Sequence, residues 1–175
     1  MSTNADGETR AERDQEAEVV ISAAALVQRR LWGTEPRTWA ELAEAHNRPL
    51  FEAVLDAAGV GAGTRVLDVG CGSGLTLVLA AQRGAVAAGI DISPGLLGVA
   101  RERLPGADLR DGDMEALPFP DEAFDAVLGV NAFQFAGDPP QALREAARVL
   151  LPGGLLVASL FAAPERSQAT VVQRR

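Results

Sequence analysis

The stretch VLDVGCGSG, residues 66–74, constrains the fold of this chain more than any other. An apolar run ends at Asp68 and Val69, and glycines follow at 70, 72 and 74. Behind them, Leu75 to Arg83 is dense in apolar residues, as a buried helix would be. A strand, a bare loop and a helix in that order bring backbone N–H groups and a helix N-terminus close to a ligand.

The segments that follow repeat the alternation. Val86 to Ile92 reads as a strand, and Ser93 as an N-cap with Pro94 at the first helical position. That helix is expected to run to about Leu104, where Pro105-Gly106 ends it. A weak strand covers Ala107 to Arg110, and a loop with prolines at 118 and 120 follows. Phe124 to Val130 is a strand, Pro140 to Leu150 a helix, Pro152-Gly153-Gly154 a turn, and Leu155 to Leu160 a fifth strand. Strands separated by helices of this length predict an α/β, doubly wound, mainly parallel sheet with helices on both faces.

Upstream, residues 1–18 carry six acidic and two basic side chains and read as a flexible acidic arm. Val19 to Leu31 returns to helical density, and Trp32-Gly33 and Pro36 break it. A second helical stretch spans Arg37 to Ala58, with Pro49 expected to divide it. The organisation expected is an arm (1–18), N-terminal helices (19–58) and a ligand-binding core (59–175).

Composition removes several classes of function. The formal charge is −8, and no basic run exceeds two arginines, which argues against a nucleic-acid partner. No segment approaches about 18 consecutive apolar residues, and no basic and apolar leader opens the chain, so a soluble cytoplasmic protein is expected. Cys71 is the only cysteine, so no internal disulfide forms. The chain has no lysine, so the G-x-x-x-x-G-K-[ST] loop that cradles nucleoside triphosphates is ruled out.

The dinucleotide fingerprint is G-x-G-x-x-G, whereas this loop is G-x-G-x-G with Asp68 two residues before it. A carboxylate beside the ligand repels a pyrophosphate and attracts a sulfonium or ammonium. The pattern therefore favours a nucleoside with a cationic end, as in S-adenosylmethionine. Asp91 ends the second strand, 21 residues beyond Gly70, where an acid can accept both ribose hydroxyls. That feature suits NAD and S-adenosylmethionine equally.

With VLDVGCGSG, the segments GIDISPGLLGVAR, GDMEALPFPDEAFDAVLGVNAFQF and EAARVLLPGG complete a resemblance over residues 35–165. The chain resembles the class I S-adenosylmethionine-dependent methyltransferases of the small-molecule, type 11-like kind, which have a Rossmann-like fold. The resemblance implies that Asp68, Gly70 and Gly72 surround the methionine part of the cofactor and that Asp91 holds the ribose. It implies that Ile92 packs on adenine, that Asp113 accepts from the adenine amine, and that the Met114 backbone meets the ring edge. Asn131 matches a position facing the methionine end. Asp111 is a close neighbour of Asp113, and sequence alone does not separate the two.

Other residues are read more plainly. Cys71 is expected to be small and packed, and the only histidine, His46, to have a surface or capping role. Trp32, Trp39, Phe133 and Phe135 are either core or lining of a substrate pocket under the N-terminal helices. Asp138-Pro139-Pro140 reads as the start of a helix. No metal cluster and no catalytic residue is assigned. The family fold continues past strand five with two further strands, whereas only Phe161 to Arg175 remains here, enough for one short helix. The expectation is a chain truncated after strand five, with LLVASLF as an uncovered edge prone to self-association or to a partner chain. Methyl transfer to a small-molecule acceptor is the expected function. The alternative is a non-catalytic or partner-dependent S-adenosylmethionine-binding protein, and a nicotinamide-dependent dehydrogenase is a distant third.

Overall fold

The computed structural model describes residues 21–161 and 169–173; the acidic arm lies outside the described residues. The N-terminal helices are α1 (Ala23–Trp32), a short α2 (Pro36–Thr38), a π-helical turn (Trp39–Ala43) and α3 (Glu44–Ala57). The alternating part is β1 (Arg65–Val69), α4 (Leu75–Gln82), β2 (Val86–Asp91), α5 (Pro94–Arg103), β3 (Asp108–Asp111) and β4 (Phe124–Val130). A 3₁₀ turn (Phe133–Phe135), α6 (Pro139–Val149), β5 (Leu150–Ser159) and β6 (Ala169–Gln173) follow.

The sheet runs β3-β2-β1-β4-β5-β6, with β1 to β5 parallel and β6 antiparallel to β5. Alternation along each strand sends neighbouring residues to opposite faces. Val66, Ala126, Leu128 and Val157 pack with Val54 and Leu55 of α3 and Leu79 of α4. Their neighbours Leu67, Val127 and Leu156 pack with Ala142, Ala146 and Val149 of α6 on the other face. The β1–β4 junction is where the strand order reverses, and in such sheets a crevice opens beyond the strands' carboxyl ends at that junction.

Local chemistry fixes most boundaries. Ser93 caps α5 by accepting from the Leu96 amide, and Asp138 caps α6 by accepting from the Gln141 amide, so Asp138-Pro139-Pro140 does start a helix. Gly74 is the N-cap of α4 at φ +84, and a Cβ there would sit 3.0 Å from the Ala100 Cβ.

The structure corrects three expectations. Pro49 lies inside α3 and does not divide it. The irregularity falls upstream, at the π-helical turn, whose carbonyls find side-chain partners. Asn47 Nδ2 donates to the Ala43 carbonyl at 3.0 Å, Arg103 donates to that of Ala40 at 3.3 Å, and His46 Nδ1 lies 2.6 Å from that of Leu42. His46 is exposed there, in the surface or capping role expected of it. Strand β5 begins at Leu150, because the Pro152-Gly153-Gly154 turn is a bulge within it: Phe124 pairs with Leu150 and Ala126 with Leu155. The exposed edge is absent: Leu155 to Ser159 pair with Gln173 to Ala169, so a strand occupies the place expected to hold a short helix at most. Backbone pairing on both sides of β5 removes the reason given for self-association along it.

Candidate functional site

Around the switch point lies a cleft of about 940 Å³, its open mouth included. Strand ends and loops supply its floor: Gly70, Gly72, Ile90, Asp91, Ile92, Gly112, Asp113, Met114, Val130 and Asn131. The N-terminal helices roof it with Ala25, Gln28, Trp32, Trp39, Asn47 and Phe51. Of the eight residues singled out from sequence for a cofactor, seven line this cleft. Asp68 does not.

The glycine loop is bare for two separable reasons. Gly70 has φ +73, and a Cβ there would come within 2.6 Å of the Ala132 Cβ, so packing forbids a side chain. Gly72 has φ +55, and a Cβ there would meet no protein atom within 4 Å; it would stand in the cleft. The loop is held by Asp91, whose Oδ2 accepts from the Gly72 amide at 2.7 Å and whose Oδ1 accepts from the Ser93 amide at 2.8 Å. Burial pushes the Asp91 carboxyl up to about 6, and those two amide donors restrain the rise. Cys71 packs with Leu77, Leu97, Ala100 and Leu109, and burial raises its thiol well above its ordinary range. It is the small, packed residue expected.

Asp113 is buried, with Oδ2 accepting from the Ser22 amide at 2.8 Å and Oδ1 from the Glu115 amide at 3.0 Å. Ser22 is the N-cap of α1, so this acid also anchors the roof. Asp111, which sequence left as its rival, ends β3 and pairs with Arg29 of α1 at 2.9 Å; it does not line the cleft. Asn131 takes φ +53, a left-handed conformation that asparagine tolerates better than most residues. Its amide donates to the Ser159 carbonyl at 2.9 Å, and the Ser159 hydroxyl donates to its Oδ1 at 3.2 Å.

Asp68 belongs to a different environment. Its position on β1 gives it the face shared with Val66, which packs under α3 and α4. It is 1% exposed, accepts a hydrogen bond from Thr76, and leaves Oδ1 without a partner. Burial above all, and then the charges of Asp91 and Glu44, push its carboxyl up to about 8. At neutral pH Asp68 is therefore protonated, beneath the loop. That place beneath the loop sets Asp68 apart from the seven residues that line the cleft.

The acids that do face the cleft are Asp91, Asp113 and Glu115. No arginine, lysine or histidine lines it among the described residues. Of the four aromatic candidates, Trp32, Trp39 and Phe135 line it, whereas Phe133 is core, its ring filling the space that the missing side chain of Gly129 leaves. Sequence reasoning missed Phe161 and Glu115. Phe161 follows a strand and carried no motif; Glu115 stood in the quoted segment, but nothing in its spacing distinguished it from a solvated acid.

Comparison with known proteins agrees with this geometry. Residues 67–158 match a family model described as a methyltransferase domain. A demethylmenaquinone methyltransferase of Tropheryma whipplei (strain Twist) is 43% identical over 130 residues, covering 71% of this chain and 52% of the relative. Among solved structures, a SAM-dependent methyltransferase from Aquifex aeolicus superimposes with a TM-score of 0.60 at 25% identity, covering 67% of each chain. The [4+2]-cyclase SpnF also has a TM-score of 0.60, at 34% identity, over 64% of this chain and 44% of its own. The chain spans about half the length of the curated relatives it matches. With the family model covering more than half of its residues, the chain belongs to the methyltransferase domain family and has the class I fold of S-adenosylmethionine-dependent methyltransferases.

Proposed function

We propose that this chain binds S-adenosylmethionine in the switch-point cleft and directs methyl transfer to a small-molecule acceptor, as a cytoplasmic enzyme. One observation carries the cofactor: the ionisable side chains lining the cleft are all carboxylic acids. A pyrophosphate would meet like charge there without a basic partner, whereas a sulfonium and an ammonium meet attraction.

The residues present fit that ligand. Asp91 and Asp113 each accept two backbone N–H groups, and a carboxylate has about four acceptor sites, so both retain capacity toward the cleft. In this reading Asp91 holds the ribose hydroxyls, and Asp113 the adenine amine between Ile92 and Met114. Gly70, Gly72 and Asn131 border the methionine end, where the open space at Gly72 admits the ligand. Asp68 acts from below, by supporting the loop.

When bound, S-adenosylmethionine supplies a methyl group already activated by its sulfonium. What remains for the protein is to orient the acceptor and exclude water. The roof does the second, with Ser22 tied to Asp113 and Arg29 to Asp111. An acceptor that must lose a proton finds only carboxylates in the cleft.

Calorimetric titration tests the cofactor: S-adenosylmethionine is expected to bind and NAD not, with Asp91→Ala weakening the former. A preference for NAD refutes the proposal. A second reading, cofactor binding without methyl transfer, is favoured by the likeness to a protein described as a cyclase. Release of S-adenosylhomocysteine with a panel of small acceptors decides for the first reading; its absence across the panel, with binding intact, decides for the second.

A further inference from the structure

Four aromatic side chains also wall the cleft: Trp32 of α1, Trp39 of the π-helical turn, Phe135 of the 3₁₀ turn, and Phe161 just beyond β5. Trp39 and Trp32 meet edge to face at 4.9 Å and 76°, Trp32 and Phe135 at 5.7 Å and 69°, and Phe135 and Phe161 at 6.4 Å and 72°. They form one continuous run, and all four line the cleft. Trp32, Trp39 and Phe135 are half-buried, and Phe161 is 62% exposed, so the run is reachable from solvent.

We propose that this run is the acceptor subsite and that it selects a flat, uncharged ring. The inference rests on the cofactor reading above and deepens it. Flatness follows from the wall: edge-to-face pairs leave ring faces and edges that a planar guest complements better than a puckered one of equal size. Neutrality follows from the charges on both sides. An acceptor carrying a carboxylate or phosphate would find no basic side chain in the lining to offset its desolvation. An acceptor carrying an ammonium would share the cleft with the cofactor's sulfonium and be repelled by it. The polar side chains that α1 and α3 contribute here are uncharged: Gln28, whose Oε1 accepts from Trp32 Nε1 at 3.0 Å, and Asn47, which donates to the Ala43 carbonyl. They are suited to one hydroxyl or carbonyl on such a ring.

Trp32 and Trp39 are the only tryptophans in the chain, so the two indole N–H signals of the ¹⁵N-labelled protein both report on this wall. The probes are 2-naphthol, its anionic counterpart 2-naphthoate and the saturated decahydro-2-naphthol, titrated with saturating S-adenosylmethionine and without it. 2-Naphthol is expected to shift both indole signals saturably. 2-Naphthoate and decahydro-2-naphthol are expected to bind at least about tenfold more weakly. Phe135→Leu is expected to weaken 2-naphthol about fivefold, the scale of one aromatic contact, and to leave S-adenosylmethionine affinity unchanged. Equal binding of any two probes, or indole signals that 2-naphthol does not move, overturns the subsite. Loss of both affinities in Phe135→Leu assigns the ring to structure alone and also overturns it. Failure of S-adenosylmethionine to bind, with the probe ranking intact, sinks the cofactor reading and not this one.

Discussion

Asp68 offers the sharpest test of the reasoning, because its carboxyl is buried without a cation and still sits under the glycine loop. Its pKa rises from 3.8 to about 8 on folding, so the native state holds a proton that the unfolded chain releases. A group raised in this way makes stability fall as pH rises, starting near its unfolded value and levelling off above its folded one. At about 1.4 kcal/mol per unit, the roughly three units between pH 5 and pH 8 correspond to a loss on the order of 4 kcal/mol from this group. Asp91, raised to about 6, loses stability in the same direction, but its contribution is complete soon above that value. Between pH 6.5 and 8 the remaining slope belongs mainly to Asp68.

Asp68→Asn removes the titration with almost no change of shape. Urea unfolding of the ligand-free protein at several pH values, compared between wild type and variant, isolates the effect. The variant is expected to gain stability relative to wild type as pH rises, by about 2 kcal/mol between pH 6.5 and 8. The hydrogen bond to Thr76 can be kept by either oxygen-bearing side chain, so it does not mask the trend. Parallel pH profiles for the two proteins would refute the argument, since they would mean that Asp68 ionises normally under the loop.

Three further outcomes follow from the geometry. Gly70→Ala and Gly72→Ala should separate folding from binding. The first meets the Ala132 Cβ at 2.6 Å and is expected to cost about 2–4 kcal/mol in urea unfolding. The second meets no protein atom, costs about 1 kcal/mol for its left-handed backbone, and should abolish S-adenosylmethionine binding by calorimetry. Asp91→Asn turns an amide donor toward either the Gly72 or the Ser93 N–H, so a loss of about 1–3 kcal/mol in stability and at least about tenfold in cofactor affinity is expected. Amide exchange across Leu155 to Ser159 should be strongly protected in the monomer, and removal of residues 169–175 should speed it, because β6 covers that edge.

What sequence revealed was local. The glycine loop, the Ser93 cap with Pro94 behind it, and strands β1 and β4 each depend on neighbours within a few residues, and their limits agree with the structure. Seven of the eight residues singled out for a cofactor line one cleft because parallel strands place their carboxyl ends on the same side of the sheet. The failures have a common cause in distance along the chain. Phe133 and Phe135 are two residues apart, yet one fills the space at Gly129 while the other turns to the cleft. Nothing in their flanks distinguishes them. The charge state of Asp68 depends on Glu44 and on the helices above it, and the π-helical turn that precedes Pro49 depends on Arg103 of α5.

Arg103 shows how these distant terms are joined. Its guanidinium bonds the buried Glu44 at the start of α3, the Ser73 carbonyl of the glycine loop at 2.9 Å, and the Ala40 carbonyl of the π-helical turn at 3.3 Å. One cation thus ties the roof to the loop it covers and pairs with a buried acid that would otherwise lie uncompensated. Among the described residues, the acids facing the cleft have no arginine, lysine or histidine beside them in its lining. An arginine serves the hidden Glu44, and none lines the cleft beside Asp91, Asp113 and Glu115. That contrast suits the cation-binding reading proposed above, in which the acids lining the cleft are left for a ligand of opposite charge.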